Sequence, residues 1–349
     1  MNKAKNFEDF KTALKIMGIP RFNIVYADKE DNIFYMSNGL IPLRDTNFNW
    51  KLTLPGNTSK TKTNGYYSFK DLPQLENPIS GYIFNTNNSP YNCTEKSNNL
   101  KEENFPKSFG YREKFNNRSL RFEKLIDSYD KINYEDFLTI KYDQEYANPI
   151  FCPFKINKIF EVTYNDSSEV KDILHIIQSW NRKANVDNIG AAQFNMFYKN
   201  LRKKLKKIKF DFDSEIPDSL LIESLQRTKK QILTNFEKLN ISLGEYQKHI
   251  RGNIEIPIGG LVDMIAESSS SKYKDGKVKV VKGDSYIMLV KFGDDLPEIE
   301  TVLPYGVSNR AKSPHFTDQM KLYATHKRKK LTLDKTEIYK NASKIYHPK

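Results

Sequence analysis

Residues 81–90 read GYIFNTNNSP, and Asn85, Asn87 and Asn88 crowd into the middle of them. Each carboxamide carries a donor NH2 and an acceptor oxygen. Such a row has two uses. The amides can satisfy backbone groups in a turn, where Asn also tolerates conformations that most residues avoid. Or they can be aimed at a substrate. The residues by themselves leave both open.

Other chemistry-bearing patterns are missing from the chain. It holds no phosphate-binding loop, dinucleotide glycine fingerprint, zinc-protease motif or nucleophile elbow. IPIGGLVD has a glycine pair without a phosphate-cradling pattern. The five histidines are His175, His249, His315, His326 and His347, and no two stand at metal-ligand spacing. His175 falls on the apolar stripe of an expected helix, which suits a packed core or boundary residue better than a ligand or base. Cys93 and Cys152 form neither a disulfide scaffold nor a zinc site. They leave one disulfide, or two part-buried thiols.

The elements that must position the asparagine row can be read around it. Residues 3–17 predict a helix with Phe7, Phe10, Leu14 and Met17 on one stripe, ended by Gly18 and Pro20. Residues 23–39 predict two strands joined by a turn at Asp28–Asn32. Gly and Pro then punctuate loops and short strands to about residue 95. From about 112 to 245 the pattern is helical. NRSLRFEKLIDSY sets Leu120, Leu125 and Ile126 near one face, and NYEDFLTIKYD opens on an Asn before an acidic first turn. SSEVKDILHIIQSW offers a serine cap and a stripe through Val170, Ile173, Ile176 and Ile177. After residue 250 strands return: 277–295 predict strand, Gly-Asp turn, strand, and 313–325 a helix. ESSSSKYKDGK, residues 267–277, reads as a mobile loop. β-rich ends around a helical middle argue an α+β protein, in regions 1–110, 111–250 and 251–349, whose sheets draw on both ends of the chain.

Composition bounds the partners. The 349 residues suffice for a large core, and 22 Phe and 20 Tyr argue against disorder. No apolar run approaches the ~20 residues of a membrane helix, and MNKAKNFEDFKTALK lacks the apolar stretch of a signal peptide. The net charge of +13 is spread among 43 acidic residues, with one dense basic run, KNLRKKLKKIKF, at 199–210. Its Leu201, Leu205 and Ile208 fall at helical spacing, so a solvated helix face is the preferred reading over a nucleic-acid site. Neither nucleic acid nor membrane is expected as a partner.

Six segments together resemble the penicillin acylase family, which includes acyl-homoserine lactone acylases. AKNFEDFKTAL resembles the helix before the family's hairpin, and NIVYADKEDNIFYMSNGLIPLR the hairpin with its following G-x-x-P-x-R. LPGNTSKTKTNGYYSFKDLPQLENPISGYIFNTNNSP resembles the stretch ending in NP-x-SG-[YF]-I-x-x-x-N-N. NFPKSFGYREKFNNRSLRFEKLI resembles the R-x-x-R helix region. GDSYIMLVKFGD and YGVSNRAKSPHFTDQMKLY resemble a strand pair and the C-terminal SPHY-x-DQ segment. The matches run in family order across nearly the whole chain.

The resemblance implies an N-terminal-nucleophile hydrolase, in which the first Ser of a self-cleaved β-subunit attacks an amide with its own α-amino group as base. It implies an incomplete four-layer αββα sandwich. It puts the oxyanion-hole Asn at Asn87, with Asn88 one place away, and an orienting Arg at Arg118, with Arg121 the second choice. A neutral NH2 can face a developing negative charge without titrating. The family's Ser-Asn opening has no counterpart in this sequence, and VSN at 307–309 belongs to the C-terminal segment. The expected nucleophile therefore lies on a separate N-terminal half, from the same gene product or another chain. Without that half, sheet edges and apolar surface should lie uncovered. The expected substrate is an N-acylated small molecule. No cofactor is expected. A structural Ca2+ belongs to the complete enzyme, and the loosely matching position near Asn98 identifies no ligand set. Family members are commonly exported, which implies a periplasmic or extracellular setting for the complete enzyme. The alternative is a non-catalytic binding or structural protein that keeps the acylase scaffold.

Overall fold

A computed structural model describes residues 1–111, 115–165 and 168–347. Arg112, within the expected helical region, and Ser167, at an expected cap, lie outside the described residues. The chain divides into two compact units, Met1–Ser119 with Phe292–Asp294, and Leu120–Lys291 with Asp295–Lys349.

In the first unit, α1 spans Phe7–Leu14, shorter than predicted. The Asn6 side chain accepts from the Asp9 N–H at 2.8 Å and starts it. Met17 at φ 51° ends the turn just after it. Strands β1 (Phe22–Ala27) and β2 (Ile33–Asn38) form the predicted antiparallel hairpin, with Ala27 opposite Ile33. Asp28 closes it, its Oδ1 accepting from the N–H groups of Glu30 and Asn32. Strand β3 (Gln74–Glu76) pairs on the other side of β2.

Because β2 is central, it does not alternate: Phe34 to Asn38 are all buried. Phe34 and Met36 pack with Phe7, Leu14, Leu72 and Phe109. Burying such side chains contributes roughly 1.5–3 kcal/mol each. From the next pleat position, Ser37 receives a hydrogen bond from the Tyr111 hydroxyl at 2.8 Å. β1 is an edge strand, with Phe22 and Val25 exposed.

Helix α2 (Asn117–Ile126) crosses the boundary between the units. The second unit then carries α3 (Tyr134–Lys141), α4 (Lys171–Gln178), α5 (Ala191–Lys207), α6 (Asp218–Phe236) and the short α7 (Leu243–Tyr246). Asn133 caps α3 as predicted, in reciprocal bonds with Asp136. Ile173 and Ile177 of α4, Phe197, Leu201 and Leu205 of α5, and Leu221 and Leu225 of α6 share one core. The basic run is thus an amphipathic helix face through Leu205, although Ile208, just past the helix end, is exposed. His175 also departs from expectation. It is exposed, because the buried stripe of α4 runs through Ile173, Leu174 and Ile177.

Strands β4 (Gln247–Arg251), β5 (Ile254–Pro257), β6 (Ser268–Lys272) and β7 (Val278–Gly283) form a sheet of order β5-β4-β7-β6. Strands β8 (Ile287–Lys291), β9 (Glu298–Val302) and β10 (Lys329–Leu331) form another, in the order β10-β9-β8. Helices α8 (Met320–Ala324) and α9 (Lys335–Asn341) complete the elements.

Three expectations are corrected here. The serine run read as a mobile loop is strand β6, held by antiparallel pairing with β7 that overrides the weak strand preference of serine. The two strands around Gly283-Asp284 exist, but they enter different sheets. Each sheet among the described residues draws on one end of the chain only, β1 to β3 on the first and β4 to β10 on the last. The fold is α+β, with mixed helices and sheets.

Candidate active site

The asparagine row lies in a segment without helix or strand, between β3 and α2. Gly81 opens it at φ 74°, its N–H bonded to the Pro78 carbonyl at 2.9 Å. Much of the loop beyond Gly81 is held by side-chain amides acting on the backbone. Asn88 is 4% exposed, and its Oδ1 accepts from the Thr86 N–H and Thr86 hydroxyl, each at 2.9 Å. Its Nδ2 donates to the Asn92 carbonyl. Asn85 accepts from the Asn87 N–H at 3.2 Å. Asn99 Oδ1 accepts from the N–H groups of Cys93 and Thr94, and its Nδ2 donates to the Thr94 carbonyl. Asn98 Oδ1 accepts from the Ser80 N–H at 2.8 Å. For these residues the amide serves the turn.

Asn87 differs. Its backbone is left-handed at φ 64°, a conformation Asn tolerates better than most residues, and its side chain is exposed. Its Oδ1 accepts from Arg118 Nη1 at 3.0 Å. Its Nδ2 donates to nothing among the described residues. Anchoring the oxygen on a permanently charged guanidinium orients the amide and leaves its NH2 as the donor to offer.

Asn116 fastens this pair and escaped the sequence reading. It is 6% exposed and caps α2 in a reciprocal box: the Ser119 N–H donates to its Oδ1 at 2.8 Å, and its own N–H donates to Ser119 Oγ at 3.0 Å. The same side chain donates from Nδ2 to the Thr86 carbonyl at 2.8 Å. Thr86 precedes Asn87 and Asn116 stands two places before Arg118, so one buried amide ties both ends of the Arg118–Asn87 bond. The available signal was an Asn just ahead of a helical pattern.

Arg121, the second choice for the orienting Arg, is engaged elsewhere. Its guanidinium donates to both Asp143 carboxylate oxygens at 3.0 and 2.8 Å and to Glu145 at 3.0 Å. Its side chain is 11% exposed.

Both cysteines are free, Cys93 buried and Cys152 half-buried. Burial pushes the Cys93 thiol up to about 12, so it is not a nucleophile at neutral pH. Among the described residues no three His, Cys, Asp or Glu side chains come together as a metal-ligand group, and Asn98 spends its oxygen on Ser80. No helix among them is long and apolar enough to cross a membrane.

A chain with this loop, helix and order of elements can be compared with known proteins. The family model for penicillin amidase matches residues 1–340, and the chain belongs to that family. It is 20% identical over 369 residues to the acyl-homoserine lactone acylase PvdQ of Pseudomonas fluorescens, covering 93% of this chain and 46% of the relative. It is 40% identical over 93 residues to penicillin G acylase of Escherichia coli, covering 25% of this chain and 10% of the relative. The thermostable penicillin G acylase of Alcaligenes faecalis superimposes with a TM-score of 0.60 at 17% identity, covering 99% of this chain and 71% of that structure. The last likeness is one of fold. The chain spans about half the length of the PvdQ relative it matches across nearly its full extent.

Proposed function

We propose that this chain is the C-terminal part of the β-subunit of an amidohydrolase that cleaves a linear N-acyl amide through an acyl-enzyme. In this reading Asn87 Nδ2 donates to the oxyanion that forms when a serine hydroxyl attacks the acyl carbonyl. Arg118 is a positioning residue, holding the amide so that its NH2 faces that oxygen. The serine and its α-amino base come from an N-terminal half outside residues 1–349. The complete enzyme closes the four-layer αββα sandwich, with the exposed β1 edge available for pairing.

The observation that carries this reading is the 3.0 Å bond from Arg118 to the Asn87 oxygen, with the Asn87 NH2 unengaged among the described residues. A preorganised neutral donor is worth more to a developing oxyanion than to a ground-state carbonyl, which is how it accelerates the reaction. Family membership supplies the amide chemistry.

The test is hydrolysis of a set of chromogenic N-acyl amides by this chain alone, by an N-terminal half carrying a Ser-Asn start, and by both together. Hydrolysis only by the pair is expected. Hydrolysis by the chain alone would place the nucleophile within it and overturn the proposal. A folded pair without hydrolysis would favour a non-catalytic binding protein on the acylase scaffold.

A further inference from the structure

The basic run at 199–210 has no part in the amide chemistry, yet its N-terminal portion lines a cleft. Between α5 and β6 lies a space of about 380 Å3 bordered by Asn195, Lys199, Arg202, Lys203, Lys206 and Ser270, among others. Four of its lining residues are cations and none is a carboxylate. Arg202, Lys203 and Lys206 are exposed at the rim, whereas Lys199 is drawn inward. Its ammonium reaches Ser270 Oγ at 3.1 Å and the Ser270 carbonyl at 3.4 Å, with the Tyr246 ring centroid 5.8 Å away. No carboxylate pairs with it among the described residues. By contrast Lys204, on the same helix, is bonded to Glu223 at 2.8 Å.

A part-buried ammonium without a counter-charge is costly unless an anion completes it. Burial pushes Lys199 down to about 8, in keeping with that shortfall. The cleft therefore offers positive charge and the Ser270 hydroxyl. A spread polyanion would use the rim alone and leave Lys199 unmet.

We propose that this cleft binds a small phosphate monoester. The phosphate sits on Arg202 and Lys203, and Lys199 meets the rest of the molecule. Arg supplies two-point contact and Lys a point charge, the usual division at phosphate sites.

Pyridoxal 5′-phosphate tests this, because its aldehyde condenses with a neutral lysine amine, releasing water, and borohydride then fixes the imine by reducing it. The full chain is labelled near neutral pH and mapped by mass spectrometry. Labelling of Lys199 is expected to exceed that of typical exposed lysines by roughly tenfold or more, because a phosphate held on Arg202 and Lys203 keeps the aldehyde beside its amine. Pyridoxal without the phosphate should lose most of that preference, and tripolyphosphate should protect. An Arg202→Ala/Lys203→Ala variant should label Lys199 several-fold less, with an unchanged melting temperature, because both side chains are exposed on a helix that accepts alanine. Even labelling across lysines, or equal rates with pyridoxal, would overturn the proposal. So would protection by a single-stranded oligonucleotide where tripolyphosphate gives none, which would assign the face to nucleic acid.

Discussion

Arg118 Nη1 donates to Asn87 Oδ1 at 3.0 Å across 31 positions of sequence. That bond distinguishes Asn87 from its neighbours. Asn85, Asn88, Asn98 and Asn99 all hold backbone groups of the turn, whereas the exposed Asn87 amide is held by a cation through its oxygen.

The two arginines of the RSLR stretch should part company on substitution. Arg121→Met leaves Asp143 and Glu145 as part-buried carboxylates without their partner, and should cost about 3–5 kcal/mol in denaturant unfolding. Arg118→Met removes the charged bond to the exposed Asn87 amide without stranding a buried carboxylate there, and should cost less than Arg121→Met, about 1.5–3 kcal/mol or below. In the reconstituted enzyme Arg118→Met should lower kcat with little change in KM, and Arg118→Lys should recover part of it. Comparable destabilisation by both would contradict the division of labour.

Asn116→Ala should remove the cap of α2 and release Thr86 together. Loss of the cap costs about 0.5–2 kcal/mol, and the freed Thr86 carbonyl adds to it. Hydrogen exchange should quicken at the Thr86 and Ser119 amides before it does in α5. Asn116→Asp should keep the cap yet set a carboxylate against the Thr86 carbonyl, so its stability should fall less than that of the alanine variant at the helix and more at the loop.

His249 gives the second unit an acid sensitivity. It is 1% exposed, Nε2 engages the Pro304 carbonyl, and Nδ1 is buried without a partner. Burial lowers its pKa below 6.5. The folded protein thus keeps it neutral, while the unfolded chain takes up a proton as pH falls through about 6.5. Its contribution to stability is complete above that pH and is lost as pH falls towards the folded value. His326, also lowered by burial, acts in the same direction. Denaturant midpoints should fall from pH 7 to pH 5, and His249→Asn should flatten the slope by up to one proton. A midpoint that rises with acid would refute this.

The sequence made the first unit legible for local reasons. Helix α1 and the β1–β2 hairpin are set by an apolar stripe and a turn at Asp28–Asn32, both contained within a few residues. The Asn87 and Arg118 positions came from a family pattern, and the bond between them depends on a fold that pattern does not spell out. Asn88 reads as the runner-up to Asn87 and Asn116 as an ordinary polar residue, since their partners Thr86, Asn92 and Ser119 take those places only once the loop is closed. The serine run became β6 because β7 pairs with it, a contact that composition does not carry. His175 shows the limit of a stripe read from spacing: one position of helical phase separates a buried face from an exposed one.

The proposed oxyanion hole depends on the Asn87 NH2, and glycine is the substitution that isolates it. Gly accepts φ 64° without strain, so Asn87→Gly removes the amide and leaves the backbone in place. Single-turnover acylation of the reconstituted enzyme is the measurement. The acylation rate should fall by roughly 10²–10³-fold, with an unchanged melting temperature and little change in substrate affinity. An acylation rate within about twofold of the parent enzyme would contradict the role given to Asn87.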